Sequence, residues 1–146
     1  MPDSGNWLGL DYGERVLGLA VAHPLTGSPR PLPPLANRGR ESLAPALSEV
    51  FSEWRPATIV IGLPLNADGT DTPMSRRVRK VARWIGELTP ETRIDLHDER
   101  LTSESAARRF AERRKAGRAR RRDAADMDSI AAVLILESWM SEQGHG

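Results

Sequence analysis

Short apolar runs at the start of the chain predict a β-hairpin. Residues 7–10 and 16–22 are mostly apolar and contain glycine, and a polar segment with Gly13 separates them. Glycine adopts the positive φ that a tight turn needs, which favours a hairpin here. Gly9 and Gly18 leave two strand positions without side chains, where another backbone or a ligand could approach closely.

Proline and helical periodicity predict the next elements. Segment 24–34 is rich in proline, which lacks a backbone N–H, so it predicts an edge strand or an extended loop. Apolar residues then recur at the spacing of an amphipathic helix that ends at Arg55 and Pro56. Pro45 fits this helix only if it lies in the first turn. The apolar positions of the helix are Leu43, Leu47, Val50, Phe51 and Trp54.

The middle of the chain predicts a buried parallel strand and a second amphipathic helix. Residues 58–63 form a continuous, largely β-branched apolar run, which is typical of a strand covered on both faces, and Pro64 ends it. Thr72 and Pro73 suit the N-cap and first turn of the helix that follows. Its apolar face carries Val78, Val81, Ile85 and Leu88, and its other face carries Arg76, Arg77, Lys80 and Arg83.

The remaining elements complete an α/β pattern. They are a strand, a helix, a mobile connection and a mostly buried helix, at residues 93–97, 103–115, 116–125 and 127–140. We expect residues 1–6 and 142–146 to be disordered. The order of elements predicts a single domain over residues 1–146, with a mixed central β-sheet and helices on its faces.

Composition narrows the chemistry that the chain can carry. It has no cysteine, which excludes disulfides, thiolate nucleophiles and cysteine-based zinc sites, and its three histidines lack metal-ligand spacing. Any bound metal must then be a hard cation held by oxygen. The longest apolar run, at residues 130–136, is too short to span a bilayer and no apolar leader is present. We therefore expect a soluble, cytoplasmic protein that does not bind a membrane.

Positive charge is concentrated in one stretch. Residues 108–122 contain nine basic residues and one acid, although the whole chain has a net charge of only +1. A cationic strip on an otherwise acidic body is typical of phosphate-backbone binding, whereas many charge runs are only solvated helix faces. We expect the last arginines of the strip to add affinity for nucleic acid that does not depend on its sequence. These are Arg118, Arg120, Arg121 and Arg122.

Three carboxylates lie where predicted apolar elements begin or end. Asp11 and Glu99 each follow a strand, and Asp128 begins the last helix, where Ala131 and Ala132 would let that helix approach the sheet. If the two strands lie side by side and parallel, Asp11 and Glu99 meet at the carboxyl edge of the sheet, where α/β proteins bind ligands. Three oxygen donors at one point would suit one or two Mg²⁺ ions, or Mn²⁺, which can activate a water for phosphodiester hydrolysis.

Each acid also has a structural explanation. Asp11 could form a turn, Glu99 could pair with Arg100, and Asp128 could be the N-cap of its helix. The placement of all three at element ends favours a shared site over three separate structural roles.

Four segments of the chain resemble the YqgF/RuvX family. They are LGLDYGER at residues 8–15, IGLPLNADGT at 61–70, DERLT at 98–102 and DSIAAVLIL at 128–136. The resemblance covers nearly the whole chain, in order and with compatible spacing, so its motifs are highly specific. It implies a ribonuclease H-like fold related to Holliday junction resolvases, and a nuclease that processes the 5′ end of pre-16S ribosomal RNA. By this resemblance the metal-binding acids are Asp11, Glu99 and Asp128.

Several other residues are candidates for contact with a substrate. Arg15 and Arg100 each lie near a proposed metal ligand and could steady the scissile strand, or could simply neutralise those acids. Asn66 could contact a phosphate, or its loop could be a turn before a capped helix. We expect His97 to be structural or at the surface. Helix positions favour core packing over base stacking for Trp54, Trp84 and Trp139.

Other functions remain open at the level of sequence. The same chemistry could cut a four-way DNA junction, since phosphate contacts carry no base information. The chain could instead be a non-catalytic module that binds ribosomal RNA during assembly. An Asp-x-Gly hairpin also resembles the first phosphate loop of actin-like ATPases and sugar kinases, but those need two such domains and this chain has room for one. We expect a monomer or a homodimer, and a junction enzyme would favour the dimer.

Overall fold

A computed structural model of the protein describes residues 5–101 and 128–143. Five strands form one sheet in the order β3-β2-β1-β4-β5. The strands are β1 (Asn6–Tyr12), β2 (Val16–Ala22), β3 (Arg30–Ala36), β4 (Pro56–Leu63) and β5 (Arg93–Asp98). β1 is antiparallel to β2 and β2 to β3, whereas β1, β4 and β5 are mutually parallel. The predicted mixed sheet is confirmed, with the proline-rich strand at its edge.

Helices cover both faces of the sheet. They are α1 (Arg40–Trp54), α2 (Pro73–Leu88) and α3 (Ile130–Glu142), and a 3₁₀ turn (Glu99–Leu101) follows β5. The buried residues form two hydrophobic clusters, one on each face of the sheet. In the first, α1 and α2 pack on the face that carries Leu8 and Leu10, and in the second, α3 packs on the face that carries Trp7 and Val60. Among the described residues, no helix has the length and apolar character needed to cross a membrane.

The structure changes several predicted boundaries. Asn6 and Glu142, which were expected to be disordered, belong to β1 and α3. The Nδ2 of Asn6 donates to the Trp54 carbonyl at 2.6 Å, which fixes the start of β1. The predicted helix at 103–115 and mobile connection at 116–125 lie outside the described residues.

Pro45 contradicts the expectation that it lies in the first turn of its helix. α1 begins at Arg40, so Pro45 falls in the second turn. Proline cannot donate to the carbonyl four residues earlier, which belongs to Glu41. Both residues are exposed, so water can satisfy that carbonyl and the helix continues through the proline.

Small residues let α3 lie directly on the sheet. A Cβ at Gly9 would lie 2.7 Å from the carbonyl oxygen of Ala132, and a Cβ at Gly18 would overlap the carbonyl oxygen of Asp128. The close backbone approach predicted at both glycines is confirmed. Ala132 is fully buried in this contact, as expected, whereas Ala131 is only half-buried.

Candidate metal and nucleic-acid site

Asp11 and Glu99 come from strands that are not neighbours. β4 lies between β1 and β5, so the expectation that these two strands lie side by side is wrong. β4 carries Gly62 at this level of the sheet, and the Cγ and Cδ atoms of Glu99 lie 3.1 Å from the position that a Gly62 Cβ would occupy. The glycine therefore leaves room for the Glu99 side chain to lie against β4, and the Glu99 carboxylate interacts electrostatically with that of Asp11.

Burial raises the pKa of both carboxyl groups, and like charge raises the pKa of Glu99 further. Burial raises the pKa of Asp11. Burial, together with the negative charges of Asp11 and Asp98, raises the pKa of Glu99 to about 7. Two carboxylates that share a partly buried site destabilise each other's ionised form unless a cation compensates them. The pair therefore suits a hard divalent cation with oxygen ligands.

We expect the metal-free protein to lose stability as the pH rises through the folded-state pKa of Glu99. Below its ordinary value of 4.5 the group is protonated in both states, whereas above about 7 only the folded protein bears the cost of ionising it. Between about pH 5 and about pH 8, the unfolding free energy of the wild type should fall by roughly 1–3 kcal/mol because of this group, and that of Glu99→Gln should not. Urea unfolding of both proteins in EDTA measures this difference, and parallel pH profiles would contradict it.

Asp128 is held near this pair by its backbone. Its carbonyl oxygen contacts Gly18, and Gly18 is the cross-strand partner of Asp11. The Asp128 residue is exposed, and within residues 5–101 and 128–143 no three acidic or histidine side chains are arranged to hold a metal ion. The structure thus brings Asp11 and Glu99 together and leaves the Asp128 carboxylate outside their cluster, although its backbone lies beside β1 and β2.

Ser129 ties the start of α3 into the sheet. Its hydroxyl accepts from the Leu19 N–H at 3.1 Å and donates to the Leu32 carbonyl at 2.8 Å. At this point the β2–β3 pairing is irregular, because the two intervening β3 residues are Pro33 and Pro34, which have no N–H. The hydroxyl therefore bridges a gap in the ladder and fixes the backbone next to Asp128. The sequence reasoning missed Ser129, although it directly follows Asp128 at a predicted helix start.

Replacing Ser129 by Ala should destabilise the protein by about 2–3 kcal/mol, because it leaves the buried Leu19 N–H and Leu32 carbonyl without this partner. Urea unfolding measures the change. Ser42→Ala is the matched control, since the Ser42 hydroxyl makes an exposed bond to the Gly39 carbonyl and should contribute less than about 0.5 kcal/mol. Equal effects of the two substitutions would contradict the bridging role.

Arg100 binds an acid that the sequence reasoning did not single out. Its Nη2 donates to Oδ2 of Asp98 at 2.6 Å and its Nε donates to the same oxygen at 2.9 Å. These bonds hold the pKa of Asp98 below its ordinary value. The Nη1 of Arg100 donates to the Ala67 carbonyl at 3.1 Å. Arg100 thus fastens the loop at residues 64–71 to the end of β5, beside Glu99.

Asn66 forms hydrogen bonds within that loop. Its Nδ2 donates to Thr70 Oγ1 at 3.0 Å and to the Asp71 carbonyl at 3.3 Å, and Gly69 has a positive φ of 87°. Thr72 then caps α2 by accepting from the Ser75 N–H at 2.9 Å, as predicted. Asn66 is exposed, so substrate contact stays a prediction for it.

The remaining residues singled out in the sequence lie at the surface, in the interior or outside the described residues. Arg15 is exposed in the turn after Asp11, and its role in binding substrate stays a prediction. Arg118, Arg120, Arg121 and Arg122 lie outside the described residues. His97 is buried and structural, because its Nε2 lies 2.9 Å from Ser138 Oγ and its Nδ1 lies 3.3 Å from Glu142 Oε2. These contacts, with the bond from Trp139 Nε1 to Asp95 at 3.1 Å, hold α3 on β5.

Comparison with known proteins adds a family and a fold. The model of one family, RuvX, described as Holliday junction resolvase, matches residues 5–142. Proteins of Salmonella newport and Escherichia coli named "Putative pre-16S rRNA nuclease" are 38% identical over 142 and 143 residues, which cover 97% of this chain and 99% of theirs.

Solved structures show the same fold at low sequence identity. The Thermus thermophilus RuvC in complex with a Holliday junction substrate aligns with a TM-score of 0.60 at 12% identity, over 96% of this chain and 97% of that chain. The fowlpox virus Holliday junction resolvase aligns with a TM-score of 0.54 at 10% identity, over 94% and 99%. The sheet order and helix placement are thus those of a ribonuclease H-like fold, as the resemblance to the YqgF/RuvX family implied.

Proposed function

Since the chain belongs to the RuvX family, we propose that it is a divalent-metal-dependent nuclease that processes the 5′ end of pre-16S ribosomal RNA. The family supports phosphodiester hydrolysis on nucleic acid, and the names of its 38% identical relatives support the ribosomal substrate. The observation that carries the proposal is the pair of carboxyl groups, Asp11 and Glu99, that meets over Gly62 at the carboxyl edge of the sheet.

Asp11 and Glu99 would hold the ion, with Asp128 as a third ligand after a local movement of its exposed side chain. Mg²⁺ or Mn²⁺ suits three carboxylates, which are hard oxygen donors. When bound, the ion supplies Lewis-acid stabilisation of a phosphodiester and an activated water. Asp11 is partly buried at the end of β1, and Gly62 leaves the space that Glu99 occupies beside it, which favours a preorganised site.

The cationic residues around the pair would bind and orient the strand. Arg100 keeps its positive charge at the end of β5, where its bonds to Asp98 and Ala67 limit its movement. Arg15 lies in the turn after Asp11, and Asn66 lies in the loop that Arg100 fastens. A phosphate backbone that passes the two acids would meet these groups on either side.

A four-way DNA junction is the second candidate substrate. The family is described as Holliday junction resolvase, and the aligned RuvC structure was solved with a Holliday junction. Shared fold at 12% identity does not carry the substrate over to this chain. Such an enzyme would need a dimer with two sites, so the mass of the protein in solution bears on this alternative.

Cleavage of both substrates under the same conditions tests the proposal. We expect a pre-16S fragment that contains the 5′ end of the mature RNA to be cut with Mg²⁺ and left intact with EDTA. Asp128→Asn should reduce this cleavage while RNA binding persists. Faster cleavage of the four-way junction would transfer the function to the second candidate. Normal RNA binding without cleavage of either substrate would support a non-catalytic assembly factor instead.

A further inference from the structure

A basic cavity lies between the start of α1 and the second half of α2. It has a volume of about 260 Å³ and is lined by Arg40, Lys80, Arg83, Trp84 and Glu87. We refer to it as the α2 cavity. Three cations, one indole ring and a single acid give it a net positive charge, and none of these residues belongs to the candidate metal site.

The cations of the α2 cavity are available to a ligand. Arg40, Lys80 and Arg83 are exposed, and none of them forms an ion pair with another described residue. Their neighbours on α2 differ in this respect, because Arg77 pairs with Glu14 and Arg79 pairs with Asp71, both at 3.0 Å. Two cations of α2 outside the cavity are thus held in ion pairs, whereas the three cations that line it are not.

Trp84 holds Arg40 in place. The guanidinium carbon of Arg40 lies 5.3 Å from the centre of the Trp84 ring, within the range of a cation–π contact. The face of the indole that Arg40 covers is not open to a nucleobase. An arginine whose position is fixed in this way loses less conformational freedom when it binds an anion. The cavity therefore suits a phosphate better than a stacked base.

Arg77 connects α2 to the turn that follows Asp11. Arg77 contacts Glu14, which lies in the turn directly after β1 and Asp11. Lys80 and Trp84 follow Arg77 on the same side of the helix, so the cavity begins about 5–10 Å further along the helix axis. Glu99 lies over Gly62 on the face that α3 covers, whereas α2 packs on the opposite face of the sheet. A strand with its scissile phosphate at Asp11 and Glu99 would therefore pass around the β1–β2 turn to reach the cavity.

We propose that the α2 cavity binds a backbone phosphate of the substrate RNA, outside the cleavage site, through Arg40, Lys80 and Arg83. This inference rests on the proposed function, because it takes RNA as the partner. The contact adds affinity and fixes the path of the strand, and it reads no sequence because it addresses the backbone alone. Its three cations are different residues from the arginine strip at residues 108–122.

Salt-dependent RNA binding tests this site. The probe is a fluorescein-labelled pre-16S fragment, and its anisotropy is measured in EDTA at several salt concentrations, so that metal-dependent cleavage does not interfere. Removing two phosphate contacts with Lys80→Gln and Arg83→Gln should lower the slope of log affinity against log salt by about 1.5. Arg40→Gln alone should lower it by about 0.7–0.9.

The matched control removes two positive charges at the end of the sheet where β3 and β4 begin. Arg30, which lies over Trp54 at the same 5.3 Å, and Arg55, which precedes β4, are both exposed there. Arg30→Gln with Arg55→Gln changes the net charge equally and should leave the slope unaltered. Equal slopes for the two double variants would overturn the α2 cavity as a phosphate site while the proposed function stands. Absence of RNA binding by the wild-type protein would overturn the proposed function, and this site with it.

Discussion

Asp11→Asn will reduce metal-dependent RNA cleavage by about 10³-fold, the scale on which loss of a principal charge-stabilising group acts. Asparagine keeps the size of the side chain and one oxygen, but it removes the negative charge that a divalent ion needs. The same change should raise the melting temperature in EDTA, because Asp11 is partly buried and its charge repels that of Glu99. Cleavage rates with Mg²⁺ and thermal unfolding in EDTA measure the two effects.

Glu14→Gln is the control for Asp11→Asn. Glu14 is exposed, lies in the next turn and pairs only with Arg77 among the described residues. Its loss removes one negative charge near the site without touching Asp11 or Glu99, so cleavage should remain within a few-fold of the wild type. Cleavage by Asp11→Asn at a similar level would remove Asp11 from the reaction.

Gly18→Ala will displace the start of α3. A Cβ there would overlap the Asp128 carbonyl oxygen and would lie 3.2 Å from the Ser129 Cα, and both obstacles are backbone atoms that a rotamer change cannot move. We expect a loss of about 3 kcal/mol in unfolding free energy, at the upper end of overpacking effects. RNA cleavage should fall as well, because Asp128 moves with this backbone. Urea unfolding and the cleavage assay report the two losses.

Gly86→Ala in α2 is the control for Gly18→Ala. A Cβ at Gly86 would meet only Ile94 Cγ1 at 3.9 Å, which is an ordinary contact. Alanine in a helix interior should stabilise the protein by roughly 0.5–1 kcal/mol. If Gly18→Ala were equally well tolerated, the close approach of Asp128 to β2 would not determine where α3 begins.

Local signals predicted most of the fold. The hairpin around Gly13, the proline-rich edge strand and the Thr72 cap each depend on residues that lie next to one another in the chain, and all three are confirmed. The positive φ expected at Gly13 is wrong, and a Cβ there would instead overlap the Val16 carbonyl oxygen. The close approach at Gly9 and Gly18 was also predictable, because glycine inside a strand marks such contacts. The expectation that Pro45 lies in the first turn of α1 was wrong, since the tolerance of a proline in a second turn depends on solvent exposure that the sequence does not reveal.

The arrangement of the acids was less predictable. Sequence reasoning identified Asp11 and Glu99 at strand ends, but strand order is a long-range property, and it could not show that β4 separates them. Gly62 makes their meeting possible, and its signal was a glycine within a β-branched run. Asp98 and Ser129 were missed because their partners, Arg100 in one case and the β2–β3 gap in the other, become visible only in three dimensions.

Calorimetric titration of the metal-free protein with Mn²⁺ tests most directly whether Asp11, Glu99 and Asp128 share a divalent ion. The wild type and Glu14→Gln should bind with equal affinity, and Asp11→Asn, Glu99→Gln and Asp128→Asn should each bind at least about tenfold more weakly. Unchanged affinity in Asp128→Asn alone would restrict the site to the pair over Gly62. Unchanged affinity in all three variants would contradict the metal centre itself.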